Sequence, residues 1–381
     1  MRLTVLRTQD AATRTYLGSP SIVRLPDGGL LATHDYFGPG APRNHEREEH
    51  LSSVYRSRDD GRTWTSFTHI AGAFWSSLFV LDGAVYLLGT SQQYGSIVIR
   101  RSVDGGNTWT FPADERHGLL FRGGPFWQPP NYHCAPTPVL VHGDRIYRAF
   151  EDCTPCEWGT GFQSCVVSAR LGGDLLDAAN WRMSGKTRFC RDWVPAEWGA
   201  LTSPGVLEGN VVAAPSGELW NILRLHSAPL PNKAVILGVA DDGGTQHFLR
   251  WIELPGGLSK FTIRRDPRSG RYVTLSNAVD DTPGVRRFVQ ERNLSPRHRL
   301  SLCDSDDLIT WTRRAMVIED DSGLPEEEAM RRTGFQYADW VFDGEDIVAL
   351  VRTATDGAHS PHNANQITFH RVAGFRRLIG L

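Results

Sequence analysis

Short apolar runs, each broken by a turn rich in Gly, Asp, Pro or Ser and then resumed, recur along the chain, and long helical periodicities are nearly absent. The clearest copy is Ser21–Thr33, SIVRLPDGGLLAT. Comparable units occupy Ser77–Gly89, Pro138–Arg148, Val211–Leu223, Phe261–Val273 and Trp340–Leu350. Each reads as a strand, a tight turn and a returning strand, which predicts the inner hairpin of a four-stranded blade. Six units predict six blades, and the stretches 111–131 and 314–333, read as loops, leave room for a seventh. The last unit is followed by Ile367-Thr-Phe-His370 and then lacks a fourth strand, which Arg2–Arg7 can supply to close a ring. The pattern therefore predicts an all-β fold, a single β-propeller spanning residues 1–381.

A second repeat lies between these units. Ser57-Arg-Asp-Asp-Gly-Arg-Thr-Trp64 and Ser102-Val-Asp-Gly-Gly-Asn-Thr-Trp109 agree at all five positions of S-x-D-x-G-x-T-W. Asp306, Thr310 and Trp311 keep part of that spacing, and Ala240–Thr245 is a worn copy. Such a turn is self-contained: Ser and Asp accept from turn amides, Gly takes positive φ, and Trp packs between sheets. The motif resembles the Asp-box of the sialidase superfamily of β-propellers, and the resemblance implies that these residues are structural.

Composition narrows the function. Lys and Arg total 41 and Asp and Glu 43, a net charge of −2, so no global basic excess points to nucleic acid. No apolar run is long enough for a membrane helix. The N-terminal stretch lacks the apolar segment of a signal peptide, giving the expectation of a cytoplasmic monomer, or a secreted one if a leader has been removed. The six cysteines include Cys153-Thr-Pro-Cys156, which together with Cys134, Cys165 or Cys190 is a candidate structural zinc set; a Ca at the propeller axis is a further candidate cofactor.

The repeat also serves as a ruler. Side chains just before the first strand of a blade, or just after the second, face the axis on one side of a propeller. The first phase gives Tyr16, Ser19, Trp75, His133, Glu208, Asn210, Lys260, Gln336 and Tyr337. The second gives His34, Asp35, Ser91, Arg148, Glu151, Asp152, Arg224, His226, Asn277 and Arg352. These polar and aromatic positions predict a ligand site, and Arg148, Arg224, Lys260 and Arg352 predict that the ligand is anionic. Trp75 and Trp127 are candidates for stacking on sugar rings. The segment Gly357–Asn365 lies on the same face, and its His362 and Asn365 suit sugar hydroxyls. Asn44–His50 reads as a solvated loop.

Several segments resemble propeller enzymes that cleave rhamnose–glucuronate linkages, a group of lyases and glycoside hydrolases: Gly18–Ile22 with Thr33–Asp35, Tyr132–Pro136, Leu207–Asn210, Gly334–Trp340 and His362–His370. That resemblance implies a polysaccharide or oligosaccharide substrate cleaved by β-elimination. It places His34 as the base; the chemistry of the reaction suits His133 as an alternate base and Tyr337 as the acid, and the adjacent Asp35 could orient the imidazole. A glycoside hydrolase would instead use two carboxylates, Glu208 with Asp339 or Glu151. A non-catalytic sugar-binding propeller is the third reading. Sialidases carry an arginine, one of three that bind the sialic-acid carboxylate, where this chain has Gly18. No Tyr–Glu nucleophile pair is assigned from the sequence, and sialic acid is disfavoured.

Overall fold

In the computed structural model, which describes every residue except 1, 126–127, 241–243 and 356, the apolar units form the inner strands of six sheets around one axis. Blade 1 comprises Tyr16–Arg24, Leu30–Phe37, Leu51–Ser57 and Thr65–Ala71. Blade 2 comprises Phe74–Leu81, Ala84–Thr90, Ile97–Ser102 and Leu119–Phe121. In blade 3 the inner strand is split into Tyr132–His133 and Leu140–His142, both pairing with Arg145–Cys153, which is followed by Phe162–Arg170 and two short outer strands, Trp181–Met183 and Thr187–Arg188. Blade 4 runs Thr202–Ala213, Leu219–Ala228, Lys233–Val239 and Gln246–Glu253; blade 5 runs Thr262–Arg265, Tyr272–Ser276, Arg299–Ser305 and Thr312–Glu319. Blade 6 takes Gly334–Asp343, Asp346–Ala354 and Gln366–Val372 from the C-terminal end, and its outer strand, Arg2–Thr8, from the N-terminal end. Thr4 faces Phe369 and Val5 faces Thr368 across that closing pair. The segments that left room for a seventh blade hold outer strands of blades 2 and 5 and the short helix Glu326–Arg332.

Burial happens between blades. Leu17, Ile22 and Leu30 of blade 1 pack on Leu350, Ile367 and Phe369 of blade 6, and Leu88 and Ile99 of blade 2 pack on Ile146 and Phe150 of blade 3. The S-x-D-x-G-x-T-W turns join third to fourth strands, so the antiparallel order puts them on the face opposite the strand-two exits. Asp104 accepts from the Thr108 amide at 2.9 Å and its hydroxyl at 2.7 Å, while Ser102 accepts from the Gly106 amide at 2.8 Å. Gly61 is required twice over: its φ is +79°, and a Cβ there would lie 2.2 Å from the Phe369 ring of blade 6. Trp311 is buried, whereas Trp64 and Trp109 are half-buried at their blade junctions. The third copy departs from the expected spacing. Its cap is Asp307, which accepts from the Thr310 amide at 2.7 Å, with Ser305 accepting from Leu308, while Asp306 pairs outward with Arg271. The turn is one residue shorter, so the Asp that matches Thr310 by spacing is not the one that caps it. The middle of the worn copy at 240–245 lies outside the described residues.

A belt of hydrogen bonds links each blade to the next around the axis. Asp339 of blade 6 accepts from the Ser21 hydroxyl at 2.8 Å and the Ile22 amide at 2.9 Å of blade 1. Ser21 accepts from Leu78, Ser77 donates to the Thr137 carbonyl, and Asn210 accepts from Ile263. Thr262 donates to the Ala338 carbonyl, and Glu151 of blade 3 accepts from the Glu208 amide of blade 4. The polar residues of the inner strands thus do structural work where carbonyls and amides would otherwise be buried unpaired.

Candidate functional site

Four inner strands carry the same irregularity two residues before the belt. The register shifts between Gly18 and Ser21, Phe74 and Ser77, Leu207 and Asn210, and Gln336 and Asp339. In each bulge one non-glycine residue takes positive φ: Ser19 at +35°, Trp75 at +48°, Glu208 at +58° and Tyr337 at +53°. Left-handed backbone at such residues is costly and persists where the surroundings impose it. All four side chains line one cavity of about 190 Å³, together with Asp35, Glu49, Tyr94, His133 and Arg352. A second cavity of about 430 Å³, lined by Arg224, His226, Asn293 and Arg297, shares Trp158, Tyr337 and His362 with the first. The two form one cleft with Tyr337 at their boundary.

At that boundary the Tyr337 hydroxyl donates to Glu208 Oε1 at 2.7 Å, and Arg224 Nε ion-pairs with Glu208 Oε2 at 2.6 Å. Burial first, and the Glu208 charge second, push the Tyr337 phenol up to about 12, so the phenol holds its proton at rest. Arg352 lies over the Tyr337 ring at 5.0 Å and over Phe37 at 4.4 Å. A Cβ at Gly18 would sit 3.2 Å from Phe37, so the ring occupies the space beside this glycine and Arg352 reaches the same spot from blade 6. Arg297 lies over Tyr337 at 5.8 Å. It is only 3% exposed, its Nε and Nη1 have no hydrogen-bond partner, and no ion pair involves it among the described residues. Burial lowers it to about 10, leaving it a cation at neutral pH.

Asp35 sits in the smaller cavity. Its Oδ2 accepts from the Trp75 amide at 2.8 Å, and its carboxyl is raised to about 7, burial outweighing its contacts with Ser52, that amide and Ser19 and the charge of Arg352. Behind the cavity, His133 Nδ1 is 2.7 Å from Glu151 Oε2, and Glu151 Oε1 holds the Glu208 amide at 2.7 Å. His133, Trp75, Tyr94 and Trp158 form an aromatic wall, with His133 centred 4.3 Å from Trp75.

Of the residues proposed from sequence, the cleft gathers Trp75, His133, Glu208, Arg224, Tyr337, Arg352 and His362. Others are placed elsewhere. His34 is fully buried on the other side of its strand, stacked on Tyr55, with Nε2 3.1 Å from the Tyr55 hydroxyl and burial lowering it to about 4. Side chains alternate along a strand, so Asp35 faces the cleft and His34 cannot. Nor does the Asp35 carboxylate orient the imidazole, whose Nδ1 meets the Asp35 carbonyl. Arg148 is spent on the carbonyls of Leu88, Trp75 and Ala135. Lys260 donates to Thr262 and to the Ala338 carbonyl, and Asn210 and Asp339 belong to the belt. Gln336 donates to the carbonyls of Pro361 and His362, positioning His362 from behind, and Asn365 pairs with the Thr355 backbone. The carboxylate pairs read from sequence fail for the same reason: Asp339 and Glu151 hold neighbouring backbones. The Asn44–His50 loop is not solvated throughout, since Glu48 and Glu49 are buried and Glu49 lines the cleft. Cys153 and Cys156 join no group of three or more metal-ligating side chains among the described residues, and no such group marks the axis. Trp127 lies outside the described residues.

Sequence reasoning missed Arg297, Tyr94 and Trp158. Each sits in a loop joining the second and third strands of a blade, as do Glu49 and His362. That third phase of the repeat was read only in blades 1 and 6.

No protein-family model matches the sequence, and no curated protein aligns with it significantly. Solved structures do match over the whole chain. The α-L-arabinanase of Penicillium chrysogenum, complexed with arabinobiose, superposes with a TM-score of 0.61 at 16% identity, covering 100% of this chain and 99% of that one. The α-L-arabinofuranosidase of Fusarium graminearum, with an iminosugar inhibitor, gives 0.57 at 13%, covering 97% of each. A Hadza microbial sialidase gives 0.61 at 13%, covering 97% of this chain and 68% of that one. The fold is that of the sialidase-like β-propellers. Within that class the chain is a six-bladed ring with a Tyr–Glu pair at the centre of its cleft.

Proposed function

We propose that this protein is a retaining glycoside hydrolase acting on an acidic sugar whose carboxylate lies beside its anomeric carbon. The observation that carries the reading is the Tyr337–Glu208 hydrogen bond of 2.7 Å set under Arg297, a buried cation with no ion pair among the described residues. Burying an unpaired charge is expensive unless a ligand completes it. Arg224, Arg297 and Arg352 would hold the carboxylate from three sides. A negatively charged nucleophile would be repelled by that carboxylate, whereas a neutral phenol backed by a base is not; sialidases, with their Tyr nucleophile, are the known exception to carboxylate nucleophiles.

In the first step the Tyr337 oxygen attacks the anomeric carbon and passes its proton to Glu208. The glycosidic C–O bond breaks, and Asp35, protonated below about pH 7, gives its proton to the leaving oxygen. In the second step Asp35, now ionised, takes a proton from water, whose oxygen displaces Tyr337; the phenolate recovers its proton from Glu208. The solved neighbours named as arabinanase, arabinofuranosidase and sialidase support hydrolysis over elimination. The burial of His34 takes away the first base expected for β-elimination of a rhamnose–glucuronate linkage and leaves its alternate, His133, which lines the cleft with Nδ1 against Glu151.

Fluorogenic aryl glycosides of 2-keto sugar acids, of glucuronate and of neutral pentoses test the reading. The expected result is release from an acidic member with retention of anomeric configuration by proton NMR, and no ultraviolet-absorbing unsaturated product. Cleavage of arabinosides alone would refute it.

A further inference from the structure

Ser52 has one hydrogen for two oxygen contacts, one too few if Asp35 is ionised. Ser52, directly opposite Asp35 in the neighbouring strand of blade 1, has its hydroxyl oxygen 2.6 Å from Asp35 Oδ1 and 2.7 Å from the carbonyl oxygen of Ala73. Both neighbours are oxygens, and a serine hydroxyl has one hydrogen. Ser52, Asp35 and Ala73 are all buried. The Ala73 carbonyl is a permanent acceptor. If the Ser52 hydrogen goes there, the 2.6 Å contact to Asp35 is a hydrogen bond only when Asp35 donates it.

We propose that Ser52 is a positioning residue that keeps the proton on Asp35, by committing its own hydrogen to Ala73 and accepting from the carboxylic acid. The inference deepens the hydrolase reading, in which Asp35 supplies the proton to the leaving group. Oδ2 is already fixed by the Trp75 amide, so the hydrogen resides on Oδ1. When substrate enters, that O–H turns from Ser52 toward the glycosidic oxygen, and Ser52 keeps the hydrogen bond it donates to Ala73. The charged and titratable groups around the cavity are Glu49 from blade 1, Tyr94 from blade 2, His133 from blade 3, Glu208 from blade 4, and Tyr337, Arg352 and His362 from blade 6. Arg352 favours the ionised acid, and burial opposes it more strongly. A Ser52 hydroxyl that donated to Asp35 would also favour the ionised acid; one that spends its hydrogen on Ala73 and accepts from Oδ1 favours the protonated acid instead.

The sign of one shift decides the matter. Infrared difference spectra of the free protein, wild type minus Asp35→Asn, should show a protonated-carboxyl band that titrates near neutral pH. In Ser52→Ala the acid loses its acceptor, so the midpoint should fall by about one pH unit, the usual scale for one hydrogen bond to a buried carboxyl. Ser52→Thr, which keeps the hydroxyl, should restore it. A midpoint that rises in Ser52→Ala would mean that Ser52 donates to the carboxylate and would overturn the proposal. So would the absence of the band from the wild type at pH 6, which requires no variant to fold. On a glycoside with a poor leaving group, the basic limb of kcat/KM should move with the band. If the wild type cleaves no acidic glycoside while the band behaves as described, the reaction assigned above falls and the place of the proton stands.

Discussion

The belt around the axis and the cleft above it are built from the same residue types and lie two residues apart along the same strands. In the belt each charged group is held by several partners. Asp339 takes Ser21, Ile22 and Arg264, Arg148 is spread over three carbonyls, and Lys260 is shared between a hydroxyl and a carbonyl. In the cleft the accounts stay open. Arg297 has unspent donors, Asp35 is raised to about 7, and Tyr337 and Glu208 share one hydrogen bond across a bulge of positive φ. Polarity and burial alone therefore do not mark function in this fold. What marks it is a buried group whose partner is missing, or whose protonation has been moved.

Breaking each region should have opposite signatures. The largest effect is expected from Tyr337→Phe, which removes the attacking oxygen. Turnover of an activated acidic glycoside should fall by about 10³-fold or more, with Tm lowered only modestly, since Glu208 loses the phenol's hydrogen bond and keeps Arg224. In the belt, Asp339→Ala leaves Arg264, Ser21 and the Ile22 amide without their shared acceptor. Chemical denaturation should show a loss of about 3 kcal/mol, while activity per folded molecule stays within a few-fold of wild type. Arg297→Met sharpens the contrast. KM for an acidic substrate should rise by about 10²-fold, as expected for a charged hydrogen bond, and stability should hold or improve because an uncompensated cation is gone. Loss of stability without loss of binding would move Arg297 into the belt.

The pH dependence of stability gives a smaller but distinctive effect. Asp35 has a raised folded pKa, about 7 against an ordinary carboxylate value of 3.8, so the native state holds more protons than the unfolded state between those limits. Stability must then fall as pH rises through that window and level off above it. Tm measured from pH 4 to 8 should show this component in the wild type and lose it in Asp35→Asn. Asp104 has the opposite sign, being lowered to about 2 by the Thr108 amide and hydroxyl. Its turn contributes stability above about pH 4 that is lost as pH falls toward 2. Asp104→Ala should lower Tm by a few degrees at pH 7 and leave turnover untouched, the smallest effect of the set.

The ring was legible because its signals are local. Each apolar–turn–apolar unit encodes a hairpin that pairs with its own neighbours, and Arg2–Thr8 could be matched to the unpaired edge after Ile367 by counting strands. Asp307 shows the limit of that reading, since one deleted residue in a turn shifted the cap from Asp306. The cleft was half legible. The phases before strand one and after strand two found Trp75, Glu208, Tyr337, Arg224 and Arg352, because each repeats at a fixed distance from an apolar run. They also returned Arg148, Lys260 and Asn210, which differ from the others only in having neighbours that satisfy them. Spacing gives His34 and Asp35 together and does not separate them, because the bulges and strand alternation that decide which of two adjacent residues faces the axis are invisible to it. Arg297 and Trp158 arrive on loops of unequal length, which no repeat aligns.

The central claim is that Tyr337 attacks the anomeric carbon of an acidic sugar while Glu208 takes its proton. Intact-protein mass spectrometry after brief exposure to a 3-fluoro acidic-sugar glycosyl fluoride tests it directly. The fluorine beside the anomeric carbon slows the second step more than the first and lets the glycosyl-enzyme accumulate. One sugar should be added to the wild type, peptide mapping should place it on Tyr337, and Tyr337→Phe should acquire none. An adduct mapped to Glu208, Asp35 or another carboxylate, or unaltered mass alongside measurable turnover of the parent glycoside, would contradict the account.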